Sequence, residues 1–270
     1  MRRLSVLTII CAALASAPGC SKKDPNAIET HTEKLGEPQF RALALGELGR
    51  LAKAVHQSGD KARMDDFAAK AMPAFAEIWD TAPESRAQML AIALDIGSPA
   101  ASVVWEKAIV LDGTGEGYKG ALLALKGIRK AKAAATVPAI VAQLDATIDN
   151  PSKDKGEREG QARRDYVRTL GELGDAQAVD VLIKALEVPP ADQPRAIHRE
   201  AIRALGKIKD PKSLDAIVLA TLRLPDAASS TDVFNRSMLA IVSFGKPGVE
   251  AVLDVFEGKN AKALKLAADQ

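Results

Sequence analysis

Cysteine is nearly missing from this chain: two residues in 270, at positions 11 and 20. Only three histidines accompany them, His31, His56 and His198. That is too little for a disulfide framework, and no histidine falls in a metal-ligand spacing, so no metal site is expected. Aromatic residues make up 4%. The core must therefore be built from Ala, Leu, Val and Ile, which favours packed helices over a β-sandwich. An excess of one charge is absent too, with 37 Lys and Arg against 35 Asp and Glu. This near-neutral balance argues against a nucleic-acid partner. The most apolar stretch, residues 4–17, has 14 residues. As a helix it would reach roughly 21 Å, short of a bilayer's hydrocarbon core. What remains is ordinary for a folded chain: 47% apolar and 27% charged residues.

The first twenty residues read as an address. Met1-Arg2-Arg3 precedes the apolar stretch, and Pro18-Gly19-Cys20 follows it. Positive charges, a short hydrophobic region and small residues before a break form a secretory signal peptide. A cysteine after small residues, followed by Ser21-Lys22-Lys23-Asp24, resembles a bacterial lipoprotein cleavage site. The resemblance implies that Cys20 becomes the first mature residue and carries a diacylglycerol. Ordinary cleavage near Ala17, leaving Cys20 a free thiol, is the alternative. Loss of residues 1–19 removes Arg2 and Arg3 and leaves 35 positive and 35 negative residues, with no cysteine after position 20. Ser21 rather than Asp beside the cysteine implies, by the same resemblance, the outer membrane of a bacterial cell envelope, facing the periplasm. Residues 20–37 are polar and are expected to form a flexible tether.

The rest of the chain repeats itself. Arg164, Arg168, Leu170, Gly171, Leu173 and Asp175 recur 35 residues later as Arg199, Arg203, Leu205, Gly206, Ile208 and Asp210. Val179, Leu182 and Ile183 recur as Leu214, Ile217 and Val218, then as Val249, Val252 and Leu253. Apolar residues fall at helical spacing in both halves of each unit. Gly171, Gly174 and Gly206 sit where first helices end. Ser98-Pro99, Asp175-Ala176 and Asp210-Pro211 fit an N-cap and a first helical turn. The unit is thus helix, tight turn, helix, and stacked units share a core that none could close alone. Residues 84–111 and 118–146 carry weaker copies. Residues 40–78 read as a divergent first pair with a longer connection near Ser58 to Lys61.

This pattern resembles HEAT repeats, in particular the short bacterial form found beside phycobilin lyase-type repeats. The resemblance implies an all-α, right-handed α-solenoid of about five to six helical hairpins over residues 38–260. Residues 146–162 are expected to be an inserted polar loop, because Leu125 to Leu170 exceeds the repeat by about ten residues. Residues 261–270 are expected to be a C-terminal tail. The implied function is a membrane-anchored scaffold that binds another protein. An accessory or maturation factor, lyase-like by analogy, is the second reading.

Chemistry is sparse. Gly115-Glu116-Gly117-Tyr118-Lys119-Gly120 spells G-x-G-x-x-G, but a dinucleotide site needs a strand before it and an acid about 20 residues on. Residues 103–111 match a second helix, and no acid lies at 131–140, so an inter-repeat turn is expected. No nucleophile motif is present. No enzymatic activity, cofactor or small-molecule substrate is expected. The binding candidates are Asp180, Asp215 and Glu250, spaced 35 and 35 along successive second helices, with Asp254 beside the last. A row of carboxylates could receive a basic protein surface; a merely solvated helix position is the alternative. Arg164, Arg168, Arg199 and Arg203 are expected to bond turn carbonyls or neighbouring repeats.

Overall fold

The computed structural model describes residues 24, 27–149, 156–189, 191–223 and 230–268. The expected signal peptide and Cys20 lie outside these residues. Fourteen α-helices are described: α1 Ile28–Thr32, α2 Pro38–Ser58, α3 Lys61–Ile78, α4 Arg86–Ile96, α5 Ser102–Ala108, α6 Gly115–Ala131, α7 Val137–Asp149, α8 Gly156–Leu173, α9 Val179–Glu187, α10 Arg195–Ile208, α11 Ser213–Arg223, α12 Ser230–Ser243, α13 Lys246–Phe256 and α14 Ala261–Ala268.

The helices form two layers. In one, α2, α4, α6, α8, α10 and α12 pack side by side in chain order. In the other, α3 lies against α5, α7 against α9, and α9, α11 and α13 follow. Each hairpin contributes one helix to each layer, which gives six stacked hairpins. The core between the layers is continuous, running from Leu45 and Phe67 through Trp105 and Leu144 to Leu205 and Ile217. It is overwhelmingly aliphatic, as the shortage of aromatics requires.

The turns follow the sequence closely. The Ala100 amide donates to Ser98 Oγ at 3.2 Å, the Gln177 amide to Asp175 Oδ1 at 2.9 Å and the Lys212 amide to Asp210 Oδ1 at 2.8 Å. These caps satisfy amides that a starting helix leaves open. The glycines divide the work. Gly174 ends α8 with φ +73. Gly171 and Gly206 lie one turn earlier, inside the helices, where an added Cβ would stand 2.5 Å from Ala204 Cβ and 2.8 Å from Ala240 Cβ. Their missing side chains bring α8 onto α10 and α10 onto α12. At the place of Gly174, α10 has Lys209, held at φ 58. A left-handed lysine costs about 1 kcal/mol that glycine does not. Lys209→Gly is expected to raise the thermal midpoint by a few degrees in a calorimetric scan.

Several boundaries depart from the sequence reading. The expected tether is partly folded: α1 packs on α2 and α3, and His31 and Leu35 are buried. Five residues of helix carry too little periodicity to be read in sequence. The connection after Ser58 is a two-residue turn, with Gly59 at φ 68 and Asp60 capping α3 through the Arg63 amide. Residues 115–120 form the first turns of α6 rather than an inter-repeat turn, with Thr114 Oγ1 accepting from the Gly117 amide at 2.9 Å. The expected inserted loop is mostly helix. α7 has 13 residues where α9 has 9, and α8 has 18 where α10 has 14. Most of the added length thus extends two helices, and residues 150–155 lie outside the described ones. The expected C-terminal tail contains α14, which packs against α11.

Candidate functional site

The second helices α9, α11 and α13 carry the acidic row. Asp180 lies in the first turn of α9, where negative charge suits the helix N-terminus. Its side chain is 74% exposed and pairs with Lys212. Asp215, in α11, accepts from Lys262 Nζ at 2.8 Å and Asn260 Nδ2 at 3.0 Å. Burial works to raise the Asp215 carboxyl, but the bonds from Lys262 and Asn260 outweigh it and hold it below the usual range. Glu250 meets Lys246 one turn away on α13 at 3.5 Å. The Asp254 side chain is exposed, and its carbonyl receives the Lys259 and Asn260 amides at 2.8 and 3.1 Å.

Asp145 of α7 is not a further member of this row: α7 starts at Val137 and α9 at Val179, so Asp145 lies about two turns further along its helix than Asp180 does. Lys184 of α9 reaches Asp145 at 2.6 Å and Asp149 at 2.5 Å. Asp145–Lys184, Asp180–Lys212 and Asp215–Lys262 therefore tie each unit to a later one. The hydrogen bond to Asp145, and then that to Asp149, raises the Lys184 ammonium above its ordinary value. The row is neutralised rung by rung, in water, by flexible lysines.

The first-helix layer has its own cross-ties. Arg199 of α10 reaches Asp232 of α12 at 2.8 Å, as a role between repeats required. Arg168 and Arg203 instead pair within their own helices, with Glu172 at 3.0 Å and Glu200 at 3.5 Å. Arg164 is exposed. Arg129, not singled out in the sequence, donates to Thr169 Oγ1 at 2.7 Å and so joins α6 to α8. Between α8 and α10, Arg168, Glu172, Glu200, Arg203 and Lys207 line a shallow cleft. It has room for about one water molecule.

A buried polar string lies where the helices are extended. Arg163 of α8 donates to the Thr147 carbonyl, to Glu159 Oε1 at 3.3 Å and to Gln193 Oε1 at 3.4 Å. Gln193 Nε2 donates to the Ala185 carbonyl at 2.6 Å and lies 3.1 Å from His198 Nε2. His198 Nε2 is 2.8 Å from the Val188 carbonyl. The string ties α7 and α8 to the connection between α9 and α10. Arg163 Nε and His198 Nδ1 are buried with no partner.

His198 lies inside α10 and is 1% exposed. Burial pushes its pKa down, the Val188 carbonyl opposes this, and Arg195 adds to the lowering. The folded chain therefore takes up this proton less readily than the unfolded chain. Stability contributed by neutral His198 is present above the unfolded value, near 6.5, and falls as pH drops below it. Thermal midpoints measured from pH 7.5 to 5.5 are expected to decline, and His198→Gln to flatten that decline. A midpoint equally steep in the variant would remove His198 as the cause.

Among the described residues no three His, Cys, Asp or Glu side chains gather as a metal site. Among the same residues no helix is long and apolar enough to cross a membrane. No curated protein matches the chain. Residues 156–228, which run from the start of α8 past the end of α11, match the family model for HEAT repeats. The segment in which the 35-residue period and the glycine contacts are clearest is thus a HEAT-repeat segment, set in an all-α, HEAT-like solenoid.

Proposed function

We propose that the chain is a lipid-anchored scaffold of the bacterial cell envelope, exported through residues 1–19 and held by a diacylglycerol on Cys20. It faces the periplasm, probing for a protein partner with the surface of its second helices, and does no chemistry itself. The observation that carries this reading is the pair Asp180 and Asp215, one repeat apart in the first turns of α9 and α11. Their lysine partners form surface pairs worth about 0–1 kcal/mol each. A partner presenting basic side chains at the repeat spacing can replace those lysines at little cost. The shallow cleft between α8 and α10 offers no enclosed pocket for a substrate, which favours the scaffold over a lyase-like accessory factor.

Two measurements test the two halves. The acylated protein, recovered from membranes, is expected to bring its partner with it, and Asp180→Lys with Asp215→Lys to lose that partner without lowering the thermal midpoint by more than a few degrees. Unchanged capture removes the row. Cys20→Ser is expected to abolish lipid labelling and membrane retention. Retention and processing equal to the unsubstituted chain would remove the anchor.

A further inference from the structure

The stacking code ends in the sixth hairpin. Gly171 lies against Ala204 of α10, and Gly206, two residues after Ala204, lies against Ala240 of α12. Two residues after Ala240 the corresponding place holds Val242, which is 64% exposed. A further unit could not dock there as α10 docks on α8, because the valine side chain fills the place that must be empty.

The face left open is apolar. On α12, Phe234, Met238 and Val242 form one stripe at helical spacing with Leu239 beside it, and Leu239 is 72% exposed. On α13, Val249 and Leu253 are exposed where Leu214 and Val218, 35 residues earlier, are buried. Phe256 of α13 is 84% exposed. Together these side chains offer on the order of 800 Å², what one partner contributes to a standard interface. The surrounding charges pair among themselves: Asp232 with Arg236, Lys246 with Glu250, Glu257 with Lys259. Such a border neither attracts a strongly charged partner nor repels its own copy. Among the described residues, the first hairpin exposes only Phe40 and Leu43 on α2 as large apolar side chains, too little to match this face head to tail.

We propose that the α12–α13 face binds the same face of a second copy, giving a closed two-fold dimer with both first hairpins at its outer ends. A face that meets itself matches in area and charge by construction, and two-fold contacts close rather than propagate. This inference does not depend on the acidic row or on the lipid.

The test is the mass of the full chain in detergent, by light scattering after size exclusion at about 10 μM. A dimer is expected. Leu239→Glu with Phe256→Asp is expected to weaken it on the order of 100-fold, leaving monomer. Phe40→Asp with Leu43→Glu, at the other end, is expected to leave it intact. Val242→Arg repeats the test at one exposed position, and circular dichroism reports that each variant is folded. A monomeric unsubstituted chain overturns the proposal. So does a dimer that survives both Leu239→Glu/Phe256→Asp and Val242→Arg, or an open series of oligomers that the Phe40 and Leu43 changes also break.

Discussion

Gly171→Val is expected to lower stability by about 3 kcal/mol or more, one of the two largest effects of any substitution considered. The reason is geometric. Even a bare Cβ at position 171 would stand 2.5 Å from Ala204 Cβ and 2.8 Å from its Cα. Backbone atoms cannot give way as a flexible side chain can, so α8 and α10 must separate. Separation opens the interior around Leu170, Ile202 and Leu205, all fully buried, and lost packing adds to the clash. Gly171→Ala is expected to do most of the same damage. The internal control is Gly46→Ala, at an exposed position of α2 where an added Cβ meets nothing within 4 Å. That change is expected to stabilise by up to about 1 kcal/mol through helix propensity alone. Denaturant titration of the three variants checks the ordering. Equal effects at positions 46 and 171 would mean that the close contact of α8 with α10 does not exist.

Arg163→Ala is the other large effect, expected to cost about 3–5 kcal/mol. The guanidinium is buried with the Glu159 carboxylate and also serves the Thr147 carbonyl and Gln193. Truncation withdraws a charge and several donors from groups that have little access to water, and the penalty is mainly their desolvation. Replacing both members, Arg163→Met with Glu159→Met, is expected to recover much of the loss, because it removes the buried charges together. A double-mutant cycle from urea unfolding reads this directly. Additive losses would show that the pair is not coupled.

These two sites show where sequence reasoning reached and where it stopped. The 35-residue period placed Leu170 and Leu205 correctly, because a buried position in a repeat must recur, whereas Gly171 and Gly206, expected at helix ends, lie inside the helices where close backbones demand them. The caps at Ser98, Asp175 and Asp210 were legible for the same local reason. Glu159 and Arg163 were not, since charged residues in a run with Gly156 and Gly160 carry the composition of a solvated loop. Contacts with the end of α7, through the Thr147 carbonyl, and with the α9–α10 connection, through Gln193, bury that pair. The candidate row was half legible. Asp180 and Asp215 keep the repeat pitch, while their partners Lys212 and Lys262 follow at separations of 32 and 47 residues and leave no pattern to find. The short helices α1 and α14 were missed because each is held by packing on a neighbour rather than by its own periodicity.

The rungs Asp145–Lys184, Asp180–Lys212 and Asp215–Lys262 have one consequence for the mechanics of the rod. They tie units together on its outside and weaken as ionic strength rises, while the aliphatic interior holds. Salt therefore tunes the superhelical pitch as a load tunes a spring: adding it lets the lysine-bearing flank lengthen. Small-angle scattering is expected to show the radius of gyration growing between 20 mM and 500 mM sodium chloride, with no loss of helix.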